Sequence, residues 1–322
     1  MIVSRFGAES TTSDVIEGID LSNRQAIVTG GASGIGMETA RALAAAGARV
    51  TIAARKLEDG AKAAAAINAD FPNKRVQVRQ LDLASLASVR QFAAHWENQP
   101  LDILVNNAGV MACPLSYTED GFETQFGVNH LGHFLLTLLL TPALQRGAPS
   151  RVVSLSSVAH VDSDINLDDP YFRLRDYDPF VSYGQSKTAN ILFAAEYDRR
   201  HRDKGIRAFS VMPGVIDTQL MRHLSLEIKT KLGLAPGPRG APAARQRKYK
   251  TVEQGAATSV WAAVAPELQG LGGLYLEDCA ETKLLVPGER RAGKVAPFAM
   301  DADAAQRLWA FSESEVNLHA SA

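Results

Sequence analysis

Cysteine is almost absent. Two residues, Cys113 and Cys279, cannot build a disulfide framework, so a reducing compartment is expected and the secreted disulfide scaffolds are excluded. An excess of charge is missing too. With 34 basic residues against 35 acidic ones the net charge is −1, and no global field draws nucleic acid or an anionic bilayer. No long apolar run occurs: the greasiest stretch, Phe134 to Leu144, holds two threonines and a proline, short of the roughly 20 apolar residues a membrane span needs. Met1 to Gly7 lacks a basic segment followed by an apolar one, so no signal peptide is expected and the location implied is cytoplasmic. At 46% apolar and 21% charged residues, the chain is neither disordered nor collagen-like.

What is present is a rhythm. From Gln25, short β-branched runs alternate with Ala/Leu-rich stretches of helical length. Strands are expected at Ala26–Thr29, Arg49–Ala53, Arg75–Gln80, Ile103–Val105, Arg151–Leu155, Ala208–Met212 and Gly273–Leu276. Helices are expected near Ile35–Ala46, Leu57–Asn68, Leu86–Glu97, Phe122–Leu144, Ser182–Arg202 and Val252–Val264. Continuously apolar strands alternating with helices predict an α/β fold, a Rossmann-like doubly wound parallel sheet covered on both faces. Its ligands bind beyond the carboxyl ends of the strands, where the strand order reverses. Residues 1–20 are polar and poorly patterned and are expected to form an N-terminal extension to a single domain, 21–322. Two stretches break the rhythm. Residues 160–181 are rich in Asp and Pro. Residues 218–251 mix Leu220, Met221, Leu224, Leu226, Leu232 and Leu234, expected to give an apolar inner face, with Pro236-Gly237-Pro238 and a basic cluster, Arg245, Arg247, Lys248 and Lys250. A loop of that length in a compact domain points to a functional lid or to disorder, and 218–251 is assigned as a substrate lid.

The first strand runs into Thr29-Gly30-Gly31-Ala32-Ser33-Gly34-Ile35-Gly36. Glycines there permit a tight turn and close approach of a pyrophosphate, whose charge then faces the free N–H groups of a helix N-terminus. The alternative is a plain glycine-rich turn; the strand before and the helix after favour the phosphate site. The second strand ends Ile52-Ala53-Ala54-Arg55-Lys56, with no acid until Glu58 where an NAD site would place one for the ribose 2′-hydroxyl. Arg55 can instead pair with a 2′-phosphate, or be a solvated arginine at a helix start. NADP(H) is therefore preferred over NAD(H). Tyr183 and Lys187, four apart, share one helix face. Chance alone supplies about 0.24 such pairs in a chain of this composition, so the spacing by itself selects little. The chemistry selects more: a cation beside a phenol favours the phenolate and makes an acid/base usable near neutral pH.

Taken together these motifs resemble the short-chain dehydrogenase/reductase family. Asn106-Asn107-Ala108-Gly109 follows the fourth strand, Asn129 lies in Gly127-Val128-Asn129-His130, Ser156-Ser157 ends the fifth strand, and Pro213-Gly214-Val215-Ile216-Asp217-Thr218 follows the sixth, all in the family's order. Within it the chain is similar to the retinol dehydrogenase, WW-domain oxidoreductase and protochlorophyllide reductase-like branch. The residues that carry this are Gly18 to Ser22, Asp82 to Leu86, Asn129 to Phe134, and the 26 positions from Ser157 to Tyr183. The resemblance implies that Tyr183 exchanges a proton with the substrate oxygen, Lys187 binds the nicotinamide ribose and lowers the tyrosine pKa, Ser157 rather than Ser156 bonds the substrate oxygen, and Asn129 holds a water beside Lys187. It further implies that Gly30, Ser33, Gly34, Ile35 and Gly36 cradle the cofactor and Asp82 and Leu83 border its adenine. Asn106, Ala108 and Gly109 would run along it, while Pro213, Gly214, Val215 and Thr218 would reach the nicotinamide.

Other features are weighed and set aside. Asp162-Ser163-Asp164-Ile165-Asn166 imitates a calcium loop, but Leu167 stands where glycine belongs and Arg173 where the terminal glutamate belongs. His130 and His133 have no Cys or carboxylate motif to complete a metal site, so no metal is expected. Cys113 is read as a small apolar filler. The expectation is thus an NADP(H)-dependent enzyme that interconverts a carbonyl and an alcohol on a moderately sized apolar small molecule. The alternatives are a non-catalytic, cofactor-sensing regulatory or scaffold protein and, more remotely, an epimerase or dehydratase. A nucleic-acid partner and a membrane span are not expected, and a homo-oligomer is left open.

Overall fold

The structure is a computed structural model that describes residues 2, 4–71, 73, 75–232, 234, 249–289, 291 and 293–317. Its strands are β1 (Gln25–Thr29), β2 (Arg49–Ala54), β3 (Val76–Gln80), β4 (Ile103–Asn106), β5 (Ser150–Leu155), β6 (Ile206–Met212), β7 (Leu274–Glu277), β8 (Ala280–Glu281), β9 (Lys283–Leu284) and β10 (Lys294–Val295). The helices are α1 (Thr12–Ile16), α2 (Gly34–Ala45), α3 (Leu57–Asn68), α4 (Leu86–Ala94), α5 (Thr124–Phe126), α6 (Gly132–Arg146), α7 (Pro179–His201), α8 (Leu226–Lys231), α9 (Val252–Val264) and α10 (Ala302–Glu315). The main sheet runs β3-β2-β1-β4-β5-β6-β7-β8, parallel throughout except for the antiparallel β7–β8 hairpin. This is the Rossmann-like doubly wound sheet expected. Strand order reverses between β1 and β4, in register Ala26 to Ile103 and Val28 to Val105, and that switch opens a crevice beyond the carboxyl ends.

The β-branched runs form strands because both sheet faces are covered: every residue of β4 and β5 is buried. One face packs against α2 and α9 through Leu43, Val260 and Trp261, and the other against α6 and α7 through Leu136, Leu140 and Leu192. The span Thr124–Arg146 is long and apolar enough to cross a membrane by length and composition, yet 78% of its most apolar window is buried inside the fold, which accounts for its leucines.

Three features differ from expectation. The first twenty residues do not trail from the domain: Thr11 caps α1 by a reciprocal bond with Asp14, and Val15 is buried in the same core as α2 and α9. Its two apolar positions that pack on the core, Val15 and Ile16, are adjacent in a single turn, so no helical periodicity could announce it. The expected helix Phe122–Leu144 is three pieces, because a π-helical turn, Gly127–Leu131, interrupts it at Asn129. The helix expected at Ser182 starts at Pro179, where the Asp178 carboxylate accepts from the amides of Phe180 and Val181 and proline occupies the first turn. Beyond these, α10 buries Leu308 and Trp309 in the same core as α7. Of the lid stretch, α8 and the turn Gln219–His223 are described. Pro236, Gly237, Pro238, Gly240, Arg245, Arg247 and Lys248 lie outside the described residues.

Candidate active site

At the end of β1 the chain must turn sharply, and Gly30 and Gly34 do so at φ of 64° and 53°, which side chains with a Cβ resist. A methyl group on Gly30 would come within 2.9 Å of the Ala108 Cα, and one on Gly36 would collide with the Gly30 carbonyl and the Asn107 side chain. The two loops are laced together. Thr29 Oγ1 accepts from the amides of Asn107 and Ala108 at 2.9 and 3.0 Å, and Asn107 Nδ2 donates to the Thr29 carbonyl at 2.7 Å. Ser33 is the N-cap of α2 but its hydroxyl makes no capping bond, leaving it and the first amides of the helix free toward the crevice.

Beyond β5, the two serines separate. Ser156 is buried and its Oγ donates to the Lys187 carbonyl at 2.9 Å, an anchoring role. Ser157 lines the cavity with Tyr183 and Lys187, while its Oγ accepts from the Ala159 amide at 3.2 Å. Tyr183 and Lys187 share one face of α7. The Lys187 Nζ lies 5.6 Å from the Tyr183 ring centroid and donates to the Leu155 carbonyl at 3.1 Å. The Asn129 side chain makes three hydrogen bonds. Its Oδ1 accepts from the Val110 amide at 2.8 Å, and its Nδ2 donates to the Val110 carbonyl and to Ser186 Oγ at 3.0 and 2.9 Å. It therefore fastens the loop after β4 to α7, and Oδ1 keeps a second lone pair with which it can accept a further bond. A Cβ on Gly109 would sit 3.1 Å from Asn129 Oδ1 and 3.6 Å from Lys187 Nζ, so a side chain there would press on the Asn129 carboxamide.

Burial governs the electrostatics. It pushes the Tyr183 phenol up to about 12, with the Ser157 hydroxyl pulling the other way, and it pushes the Lys187 ammonium down to about 8. In these surroundings desolvation outweighs the Ser157 bond, so the phenol is protonated at neutral pH. His130 and His133, the rejected metal pair, point into the core instead: burial pushes them down to about 3 and about 4, and each ring is hydrogen-bonded, to Ser312 Oγ and to Thr29 Oγ1 respectively, both at 2.8 Å.

A single cavity of about 560 Å³ joins the glycine turn to this cluster. Gly30, Ser33, Gly34, Ile35, Gly36, Ala108 and Gly109 line it together with Ser157, Tyr183, Lys187, Pro213, Gly214, Val215 and Thr218. Gly214 takes a φ of 102° where Lys250 crosses it, and the Lys250 amide donates to the Val215 carbonyl at 2.9 Å, so the chain is joined across the 218–251 stretch. Five predicted residues lie off this cavity: Asn129, described above, and Asn106, Asp82, Leu83 and Arg55. Asn106 is buried and its Nδ2 donates to Thr137 Oγ1 at 2.9 Å, so its side chain serves the core. Asp82 caps its own turn through the Ala84 amide, and Leu83 packs in the core below it. Arg55 is exposed beyond β2 and has no side-chain partner among the described residues. Sequence reasoning did not single out Asn107, Met111, Val158 or Phe180, all of which line the cavity. Asn107 was within a quoted motif; the other three carry no local signal.

Residues 24–229 match the family described as short chain dehydrogenase, and the chain belongs to that family of oxidoreductases. A protein of Streptomyces lividans named "Probable oxidoreductase" is 45% identical over 297 residues, covering 91% of this chain and 97% of its own. Retinol dehydrogenase 12 of Mus musculus is 42% identical over 293 residues, 90% of this chain and 85% of its own. Among solved structures, the Pseudomonas aeruginosa RhlG/NADP active-site complex superposes with a TM-score of 0.61 at 29% identity, over 80% of this chain and 95% of that one.

Proposed function

We propose that the protein is an NADP(H)-dependent oxidoreductase that interconverts a carbonyl and an alcohol on an apolar substrate of moderate size. The observation that carries this reading is the joining, in one cavity, of an uncapped helix N-terminus at Ser33 and Gly34 to the group Ser157, Tyr183 and Lys187. A dinucleotide fits that donor set. Its pyrophosphate would meet the α2 amides and the free Ser33 hydroxyl, and its nicotinamide ribose would lie against Tyr183 and Lys187. When bound, the nicotinamide supplies or takes up the hydride.

The chain's own work is positioning and proton transfer. In reduction, Tyr183 donates its phenolic proton to the carbonyl oxygen, which the Ser157 hydroxyl also bonds. A phenol pushed up to about 12 is in the form that step needs. Lys187 brings a cation beside both, and Asn129 holds the Gly109–Val110 loop against α7. A cytoplasmic location belongs to the same proposal; both cysteines are free and buried.

The direct test is oxidation of NADPH in the presence of a panel of aldehydes and ketones. NADPH binding with no turnover of any of them would favour the cofactor-sensing scaffold instead. Cofactor choice rests on Arg55. The wild type is expected to prefer NADPH in kcat/KM, and Arg55→Asp to reverse the preference, since an acid repels a 2′-phosphate and accepts from a 2′-hydroxyl. A wild type that prefers NADH would refute the assignment.

The substrate reading rests on the lid. Met221 and Leu224 are buried against Ala112, and Leu220, Met221, Leu224, Leu232 and Leu234 line the cavity. Leu226, expected on the same inner face, is 71% exposed and points away. Leu220→Ala should raise KM for bulky apolar ketones about tenfold and for small ones much less, the scale of one lost apolar contact. Equal effects on both would assign the lid a folding role only.

A further inference from the structure

We propose that His160 is a positioning residue that holds the Ser157 backbone in place for proton transfer at Tyr183. The inference rests on the functional reading above. His160 is fully buried in the short 3-10 turn Val158–Asp162 that follows Ser157. Its two ring nitrogens face main-chain groups of opposite character. Nδ1 lies 2.7 Å from the Ser157 carbonyl oxygen, and Nε2 lies 3.1 Å from the Ala296 amide nitrogen. A carbonyl can only accept and an amide N–H can only donate, so one form of the ring satisfies both: neutral, with the proton on Nδ1. Burial, which holds the imidazole below its ordinary pKa, favours that form.

The ring lies against the Tyr275 ring with centroids 5.0 Å apart. Thr188 Oγ1 on α7 donates to the Ser163 carbonyl at 2.7 Å, with the His160 carbonyl at 3.2 Å, so the turn itself is bonded to the helix that carries Tyr183. Ala296 follows β10 and packs with Val295, Ile191 and Met212. The imidazole thus joins the backbone of Ser157 to the C-terminal segment. The Ser157 hydroxyl itself accepts from the Ala159 amide and meets the Tyr183 phenol. Two hydrogen bonds converging on one substrate oxygen demand that Ser157 and Tyr183 keep a fixed separation, and misplacement by about 1 Å can cost about 100-fold in rate.

The variants separate the two bonds. In His160→Asn the carboxamide N–H takes the place of Nδ1–H and keeps the bond to Ser157. In His160→Gln the longer side chain reaches the Nε2 position and keeps only the Ala296 bond. Both retain a polar group in the site, so they stay informative where His160→Ala does not fold. With the full chain, NADPH and a ketone turned over by the wild type, His160→Gln and His160→Ala should lose about 10- to 100-fold in kcat, with KM and NADPH affinity within about twofold. His160→Asn should recover most of kcat even where its melting temperature matches that of His160→Gln. The proposal is overturned if Asn is as slow as Gln, if Gln recovers as well as Asn, or if Ala keeps the wild-type kcat. Ser157→Ala run alongside distinguishes the two layers. Wild-type kcat in Ser157→Ala would remove the functional reading itself, whereas a slow Ser157→Ala beside an unaffected His160→Ala removes only the role of His160.

Discussion

Tyr183→Phe is expected to lower kcat by about 100-fold or more while NADPH affinity stays within about twofold, because general acid–base catalysis contributes about 10²- to 10⁴-fold and only the phenolic oxygen is removed. The ring is 4% exposed on α7, so phenylalanine keeps its packing. Its hydroxyl reports no other structural duty among the described residues than its interaction with Ser157. Steady-state kinetics with NADPH and a ketone, and a fluorescence titration of NADPH, measure the two quantities separately. A variant retaining more than about a tenth of the wild-type kcat would take the proton-donor role from Tyr183. The pH dependence carries a sign of its own. With the phenol pushed up to about 12, reduction needs no activation through neutral pH, whereas alcohol oxidation needs the phenolate and should accelerate as pH rises toward 10.

The parts of this site that were legible in the sequence are those where backbone geometry dictates residue type. The turn from Gly30 to Gly36 needs missing side chains, so glycines mark it; the central strands β1, β2, β4 and β5 are buried on both faces, so largely apolar runs mark them, whereas β3, Val-Gln-Val-Arg-Gln, is half exposed. The Tyr183–Lys187 spacing mattered only once a helix face was assumed and other motifs fell in order around it. What stayed hidden depends on partners distant in the chain. Val15 in α1 is one buried position in a single helical turn, and Trp309 in α10 meets the core some 100 residues after α7. Asn106 looked like a cofactor residue because its motif neighbours are, yet successive side chains of a strand point to opposite faces, and the last residue of β4 turns inward to Thr137. Leu226 was grouped with the lid leucines by composition, but helical placement in α8 carries it outward. The desolvation of Tyr183 is a property of the closed surroundings and has no counterpart in any spacing.

Lys187→Met should separate stability from function in opposite directions. Lys187 is 4% exposed, and burial brings its pKa from 10.5 down to about 8. An unfolded chain takes up that proton near 10.5 and the folded one only near 8. Between those values the unfolded state binds more protons, so the lysine's contribution to stability rises with pH across that window and is unfavourable below it. At 1.36 kcal/mol per pH unit, the charge carries a penalty of about 3 kcal/mol at pH 7. Its removal leaves no orphan. The Leu155 carbonyl that accepts from Lys187 Nζ also accepts from Asn190 Nδ2 at 2.9 Å, and methionine fills a similar volume with an adaptable apolar side chain. Urea unfolding at pH 7 should therefore find Lys187→Met more stable than the wild type, and the difference should shrink between pH 8 and 10.5. Turnover should fall by about 100-fold or more, since no cation remains beside the Tyr183 phenol and the ribose site. A destabilised variant at pH 7 would mean that the bond to Leu155 outweighs the desolvation of the ammonium. A variant as active as the wild type would mean that the cation is not part of the reaction. The expected pairing, a gain in stability with a loss of turnover, marks a charge retained in the core at the cost of stability because the chemistry needs it there.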